Sequence, residues 1–481
     1  MSIQRRRNNA MSLLPAFGVS TCRFGTHHHA RPLIEATQRH GIHLFATATS
    51  YDDGFGEALL GELSTQLGAT PTVLVSLGFI EGMLYHRALE REHRGEPYPE
   101  LVRWREGAWH CIHPHFLREQ LTETYHRLRQ ASPIAVLLQH PEVFLQWATT
   151  QGIPQEEALH ELLRRLEQAF AFLEQECQQG RLFAYGIQSE QLLPTDTSIP
   201  SIPIAEVLEL ARSICGDEHH CRLLAVPFNL FESAIATEAV VEKQTLLEYA
   251  SQQHLHVIVY RPLTARLNGR PVLIAEPTTA SGSLVSVEHI RGQLREFVHT
   301  EVQLLRALME LPLDGVQRDM VRELLTLSLL LQEHWHEFAS YEDWLHMKTG
   351  YLAERFRSVS AGVEPLLTET TRQPWEAYKE RFHQALSDIT RLYAARAWER
   401  ARRLRTVIED ALHHSIPPVP LAQLALALLH HTEGVGTIIV SSSSADHIAE
   451  LATVNSLSLP PLKRQQWLDL RSARIVLEHG F

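Results

Sequence analysis

The stretch LFATATSYDDGFGEALLG, residues 44–61, decides how the rest of the chain is read. Apolar and β-branched residues at 44–48 make a strand pattern, Ser50-Tyr51-Asp52-Asp53-Gly54 a polar turn, and Glu57-Ala58-Leu59-Leu60 the start of a helix. A strand ending in a polar turn that feeds a helix is the repeating unit of an α/β barrel, where rigid strand ends and accessible loops carry catalytic side chains. Tyr51 then has two readings, a proton-donating phenol or a turn tyrosine.

Working outward, the same pattern recurs. Strand-like runs stand at 13–21, 42–48, 72–77, 134–139, 182–188, 222–228, 256–262 and 436–441, with amphipathic helical stretches between most of them. The helix at 156–179 stops at Gly180, as a C-terminal glycine predicts. Eight strands alternating with helices predict a (β/α)8 TIM barrel. Between the seventh and eighth strands, residues 285–413 carry almost no β signal and read as one helix after another. The expected organisation is a tail at 1–10, barrel strands one to seven within 11–284, an all-α insertion at 285–413, and the eighth strand with the C-terminal segment at 414–481. A segment leaving the carboxyl end of a barrel strand starts on the catalytic face. The insertion has two readings, a lid over the site or a bundle that caps the barrel or mediates association.

Composition narrows the function. Of 481 residues, 44% are hydrophobic and 21% charged, enough for a large buried core. A net charge of -12 offers no basic footprint for nucleic acid, and Arg5-Arg6-Arg7 reads as a solvated tail. No apolar run reaches the ~18 residues a membrane span needs, and no secretory h-region opens the chain, so a cytoplasmic location is expected. Five cysteines form no disulfide framework, so reduced thiols are expected. Cys215-Gly216-Asp217-Glu218-His219-His220-Cys221 lacks a second ligand pair at zinc spacing, and the His27-His28-His29 and His334-Trp335-His336-Glu337 clusters have no spaced partner. No metal is expected.

Several short motifs occur in the order found in aldo-keto reductases. Phe17-Gly18-Val19-Ser20-Thr21 resembles that family's first-strand G-x-G-T, and Phe45-Ala46-Thr47-Ala48-Thr49-Ser50-Tyr51 with Gly54, Glu57 and Gly61 resembles its tyrosine signature. Ser76-Leu77-Gly78 is similar to its T-K-x-G, and Gln139-His140-Pro141-Glu142 to its H-x-P. The segment 180–189 is similar to G-K-I-R-x-I-G-V-S-N, and Tyr260-Arg261-Pro262-Leu263 to Y-S-P-L. The resemblance covers roughly 13–265 and 415–455, and implies an aldo-keto-reductase-type barrel with the helical insertion between strands seven and eight.

It also implies hydride exchange between NADP(H) and a carbonyl or alcohol, with Tyr51 as proton donor and His140 orienting the substrate. A phenol near pKa 10 needs a neighbouring cation to titrate usefully at neutral pH. The family's Asp and Lys map to Ala46 and Leu77, which supply none, so the tetrad is half missing. The implied cofactor positions are Thr21, Gln188, Ser189, Tyr260, Arg261, Leu263, Ser441, Ser442, Ser443 and Ser444. Gln188 and Ser189 retain hydrogen-bonding groups for the nicotinamide amide, whereas Ala225 stands where the family has a glutamine. The arginine for the 2′-phosphate maps to Ser444, although the four serines precede a helix N-terminus and Arg261 adds a cation. His140 also reads as a hydrogen-bonded barrel histidine and Tyr260 as a strand-end aromatic. Two functions follow: an aldo-keto-reductase-like oxidoreductase with a degenerate tetrad, acting on a small carbonyl substrate, or a catalytically silent barrel that binds a nucleotide, senses it or scaffolds a partner through the insertion. A homo-oligomer is compatible with either.

Overall fold

The computed structural model describes residues 13–129, 134–193, 199–241, 243–267, 270–277, 285–338, 340–413 and 416–478. The tail expected at 1–10, with its three arginines, lies outside them. Strands β1 (Phe17–Ser20), β2 (Leu44–Ala48), β3 (Thr72–Leu77), β4 (Ile134–Gln139), β5 (Ala184–Gln188), β6 (Cys221–Pro227), β7 (His256–Tyr260) and β8 (Val435–Ser441) close into one barrel. Each is parallel to its neighbour, and β8 returns to β1 through Phe17↔Ile438 and Ser20↔Ser441. The expected (β/α)8 barrel is therefore present.

The local sequence explains the elements. Every residue of IAVLLQ in β4 is buried, the continuous apolar run of a parallel strand covered on both faces. β1 is shorter than the stretch 13–21 because Pro15 has no N–H for the ladder. Leu14 instead packs into the interior cluster of the barrel. Among the helices that follow the strands, α1 (Phe55–Leu67) ends on left-handed Gly68, whose N–H bonds back to Ser64 and Thr65. Helix α2 (Pro114–Leu128) starts with proline in its first turn. Helix α3 (Gln155–Gln178) carries ten buried residues along one side and stops before Gly180. Between β3 and α2 the chain also makes a small antiparallel sheet of Phe79–Glu81, Ala108–His110 and Val102–Arg105. The barrel pattern read from sequence does not contain this sheet.

The chain divides into two compact units. The barrel unit runs to Leu263 and resumes at 417–419 and 423–472; the main span of the second is Thr264–Ile416. That unit opens on the antiparallel hairpin Thr264–Leu267 and Arg270–Leu273. The remainder is helical, Val287–Met309 packing along the long helix Glu369–Leu412. Its core is aromatic: Phe356 stacks on Phe382 with centroids 4.4 Å apart, and Trp344, Trp375 and Tyr378 are fully buried. Buried Glu301 is matched by the Ser328 hydroxyl and N–H at 2.5 and 3.2 Å.

Candidate active site at the barrel mouth

Strand alternation sorts the barrel interior into two levels. Leu44, Leu74, Leu137, Leu223, Ile258 and Ile439 belong to one apolar cluster that fills the lower barrel. On the same inward faces, at the carboxyl ends, stand Ser20, Ser76, Gln139, Gln188, Tyr260 and Ser441. Ala46 pairs with Leu74 and faces inward, leaving a methyl group at that level. Leu77 pairs with Leu138 on the outward face, so Ser76 is the residue β3 turns toward the interior. Its hydroxyl donates to Gln188 Oε1 at 3.1 Å.

His140 follows β4 in a left-handed conformation, φ 48°, uncommon for a residue with a side chain. Its N–H bonds the Gln188 carbonyl at 2.7 Å, which fixes the turn onto β5. Nδ1 lies 2.9 Å from Glu142 Oε1, and that carboxylate oxygen also accepts the Glu190 N–H at 2.9 Å. With Nδ1–H donating to the carboxylate, Nε2 is left as the acceptor, 3.4 Å from the Gln188 amide nitrogen. Burial pushes the Glu142 carboxyl up, but the hydrogen bond and charge of His140 and the Glu190 N–H together leave it below its ordinary range. The Phe79 and Tyr260 rings stand 5.8 and 6.1 Å from the imidazole. Tyr260 comes from β7, so this contact crosses the barrel mouth.

Four buried polar atoms in this sector have no hydrogen-bond partner among the described residues: Gln139 Oε1, Glu142 Oε2, the Tyr260 hydroxyl and Arg261 Nε. Burial holds the Tyr260 hydroxyl well above the ordinary phenol range, so it is neutral.

Tyr51 neighbours Ser20 and Cys22 at the β1 end. Its turn is strained, with Asp52, Asp53 and Gly54 all left-handed at φ 48°, 55° and 80°. Arg127 of α2 holds the turn from behind, its Nη2 donating to Thr49 Oγ1 at 3.0 Å and its Nε to Glu57 at 2.6 Å. A Cβ at Gly54 would come within 2.7 Å of that Nε, so glycine is needed there for space as well as for φ. Asp53 Oδ1 accepts the Met83 N–H at 2.7 Å. Desolvation pushes the Tyr51 phenol up to about 12, Cys22 adding to this and a hydrogen bond with Ser20 opposing it. Ala46 and Leu77 bring no charge that would lower it, and burial moves it further from neutrality.

The remaining cofactor positions separate by how their side chains are already engaged. Thr21 is buried and its hydroxyl donates to Thr47 at 2.8 Å. Gln188 spans Ser76 and His140, Ser189 Oγ accepts the Gln191 N–H at 2.9 Å, and Leu263 is half-buried. Arg261, at φ 53°, reaches Glu190 and Glu232 at 2.7 and 2.8 Å, so its charge is neutralised within the protein. Ser441 accepts from the Cys22 thiol at 3.3 Å, and Ser442 is buried in a turn with Ser444. Ser443 is exposed, and Ser444 caps helix α4 (Ala445–Thr453) through the Asp446 N–H at 3.2 Å.

Reading the motifs missed Glu142 as the carboxylate that orients His140, although it stands two residues away. It also missed Phe79 and the small sheet that carries it. The signal was present in VRWREGAWH, 102–110, a hairpin pattern around Glu106-Gly107.

Among the described residues no helix is long and apolar enough to cross a membrane. No family model matches the chain, and no curated protein matches it. Among solved structures it is similar to an aldo-keto reductase from Bacillus halodurans in its holo form, with 13% identity over 95% of this chain and 91% of that one and a TM-score of 0.43. A glycerol dehydrogenase from Gluconobacter oxydans gives 12% identity over 96% and 91%, TM-score 0.45. An aldo/keto reductase from Klebsiella pneumoniae in complex with NADP and acetate gives 13% over 95% and 91%, TM-score 0.40.

Proposed function

We propose that the chain is an aldo-keto-reductase-like oxidoreductase of carbonyls or alcohols, in which His140 rather than Tyr51 handles the proton. The carrying observation is the set of unpartnered buried polar atoms around His140. Such an atom costs about 1–3 kcal/mol when left unmatched, so a cluster of them at a barrel mouth fits a polar ligand. Glu142 keeps one imidazole nitrogen protonated and leaves Nε2 to take a proton from an alcohol; once protonated, that nitrogen returns it to a carbonyl oxygen. The nearby carboxylate stabilises the imidazolium in between. Tyr51, with its phenol at about 12, serves as a neutral hydrogen-bond donor.

A nicotinamide dinucleotide fits this mouth at one end better than at the other. Ser189 and the unpartnered Tyr260 hydroxyl would hold the nicotinamide, which supplies or accepts hydride when bound. Its phosphates would meet Ser441, Ser443, Ser444 and the N-terminus of α4. Arg261 brings no uncompensated charge to them. NADPH should therefore bind roughly ten- to a hundredfold more weakly than to a barrel with a dedicated phosphate arginine, the effect of losing one charge-assisted contact.

Tryptophan fluorescence of the purified chain, titrated with NADPH and NADH, tests the cofactor; no change up to millimolar concentration of either removes it and leaves the silent-barrel reading. If binding is seen, aldehyde reduction by His140→Gln should fall roughly 10²–10⁴-fold, and Tyr51→Phe should cost much less. An equal loss in both variants would return the proton to Tyr51.

A further inference from the structure

The second unit holds a groove of its own. It has a volume of about 620 Å³ and is lined by Arg291 and Arg295 from the helix Val287–Met309, Arg396 from Glu369–Leu412, and Trp335 and His336 that follow Leu327–His334. Val287 and Leu294 add apolar surface, and Glu288 is the one carboxylate of the lining. That carboxylate is bonded to Arg291 at 3.0 Å. Among the described residues, Arg295 and Arg396 take part in no ion pair, and Arg396 lies 5.4 Å over the Tyr393 ring. The Tyr393 hydroxyl in turn donates to the Trp335 carbonyl at 3.0 Å, which ties the two sides of the groove together. Trp335 is buried against the core, with His336 set edge-on at 5.7 Å. Three guanidiniums converging on one concavity, in a chain with a net charge of -12, run against the charge of the whole molecule.

We infer that this groove binds a small phosphorylated ligand bearing a planar ring, of the nucleotide class, independently of any chemistry in the barrel. Arginine forks match phosphate oxygens in pairs. The groove lies within the usual range for small-molecule sites, and its apolar and aromatic residues suit a ring next to the charge.

Isothermal titration of the full chain with ADP, AMP, pyrophosphate and inorganic phosphate tests this. ADP should bind, more tightly than inorganic phosphate, and both Arg295→Ala and Arg396→Ala should weaken it roughly ten- to a hundredfold. Both side chains are exposed, so the variants should melt as the wild type does. Glu288→Gln should tighten binding, because it removes the competing carboxylate. ADP heat that neither arginine variant changes would place the nucleotide elsewhere and overturn the inference, as would absence of binding up to several millimolar. Equal affinity for inorganic phosphate would remove the ring from it. The barrel reading is tested separately, since His140→Gln should leave ADP binding in the groove unchanged.

Discussion

Arg127→Ala should lower the unfolding free energy by about 3–5 kcal/mol, the cost of removing one partner from a buried ion pair. Glu57 is fully buried and takes the Arg127 Nε at 2.6 Å. Thr124 adds two hydroxyl contacts at 3.3 Å to the same carboxylate. Burial raises the Glu57 pKa, and Arg127 pulls it down without overcoming that rise, so the guanidinium is what keeps a charge tolerable there. Removal of Arg127 also frees Thr49 and opens space behind Gly54, so the strained turn at 52–54 should become the first site of proteolytic nicking. Denaturant unfolding of Arg127→Ala, Glu57→Gln and the pair measures the coupling. A loss below about 1 kcal/mol for Arg127→Ala would mean that Glu57 is already protonated in the native state.

Stability should fall by about 3 kcal/mol as the pH drops from 6.5 to 4 on account of His110 alone. His110 is buried, its Nε2 is 2.7 Å from the Gln139 carbonyl, and desolvation holds its pKa at about 4, with that hydrogen bond opposing. The unfolded imidazole has the ordinary value of 6.5. Between these values the unfolded chain binds a proton that the native chain refuses, so stability is complete above 6.5 and declines below it. His256, bonded to Thr437 at 2.7 Å and also held at about 4, steepens the same window. Glu142, with its lowered pKa, adds its loss only at lower pH, as the carboxylate itself becomes protonated. Thermal melts from pH 7.5 to 4 should show a flatter slope for His110→Gln than for the wild type; parallel slopes would mean that His110 is protonated in the folded chain. The position matters for the site because His110 anchors the carbonyl that precedes His140. Gly78, at φ 142°, permits that approach, since a Cβ there would come within 2.7 Å of the His110 ring.

The barrel was legible from the chain alone because a strand's identity is local. TVLVSL and IAVLLQ carry enough consecutive apolar and β-branched residues to be strands wherever they are placed, and their observed bounds match the sequence reading. The end of α3 was equally local, set by Gly180, on which the backbone turns. The small sheet at Phe79–Glu81, Val102–Arg105 and Ala108–His110 was harder to see, since its strands of three and four residues fall below the length at which periodicity speaks.

What the sequence by itself determined is thus the order of the barrel strands and of the helices between them, the helical character of 285–413, and the rim positions of Tyr51 and His140. Tertiary structure alone decided what those positions are. Alternation along β3 turned Ser76 inward and Leu77 outward, and pairing across the mouth brought Tyr260 to His140. Burial then raised Tyr51 and kept the Tyr260 hydroxyl neutral, while Glu190 and Glu232 neutralised Arg261. A sequence lists the ionisable groups, but their charge at neutral pH depends on solvent access and on partners distant in the chain, and both come into being only when the barrel closes.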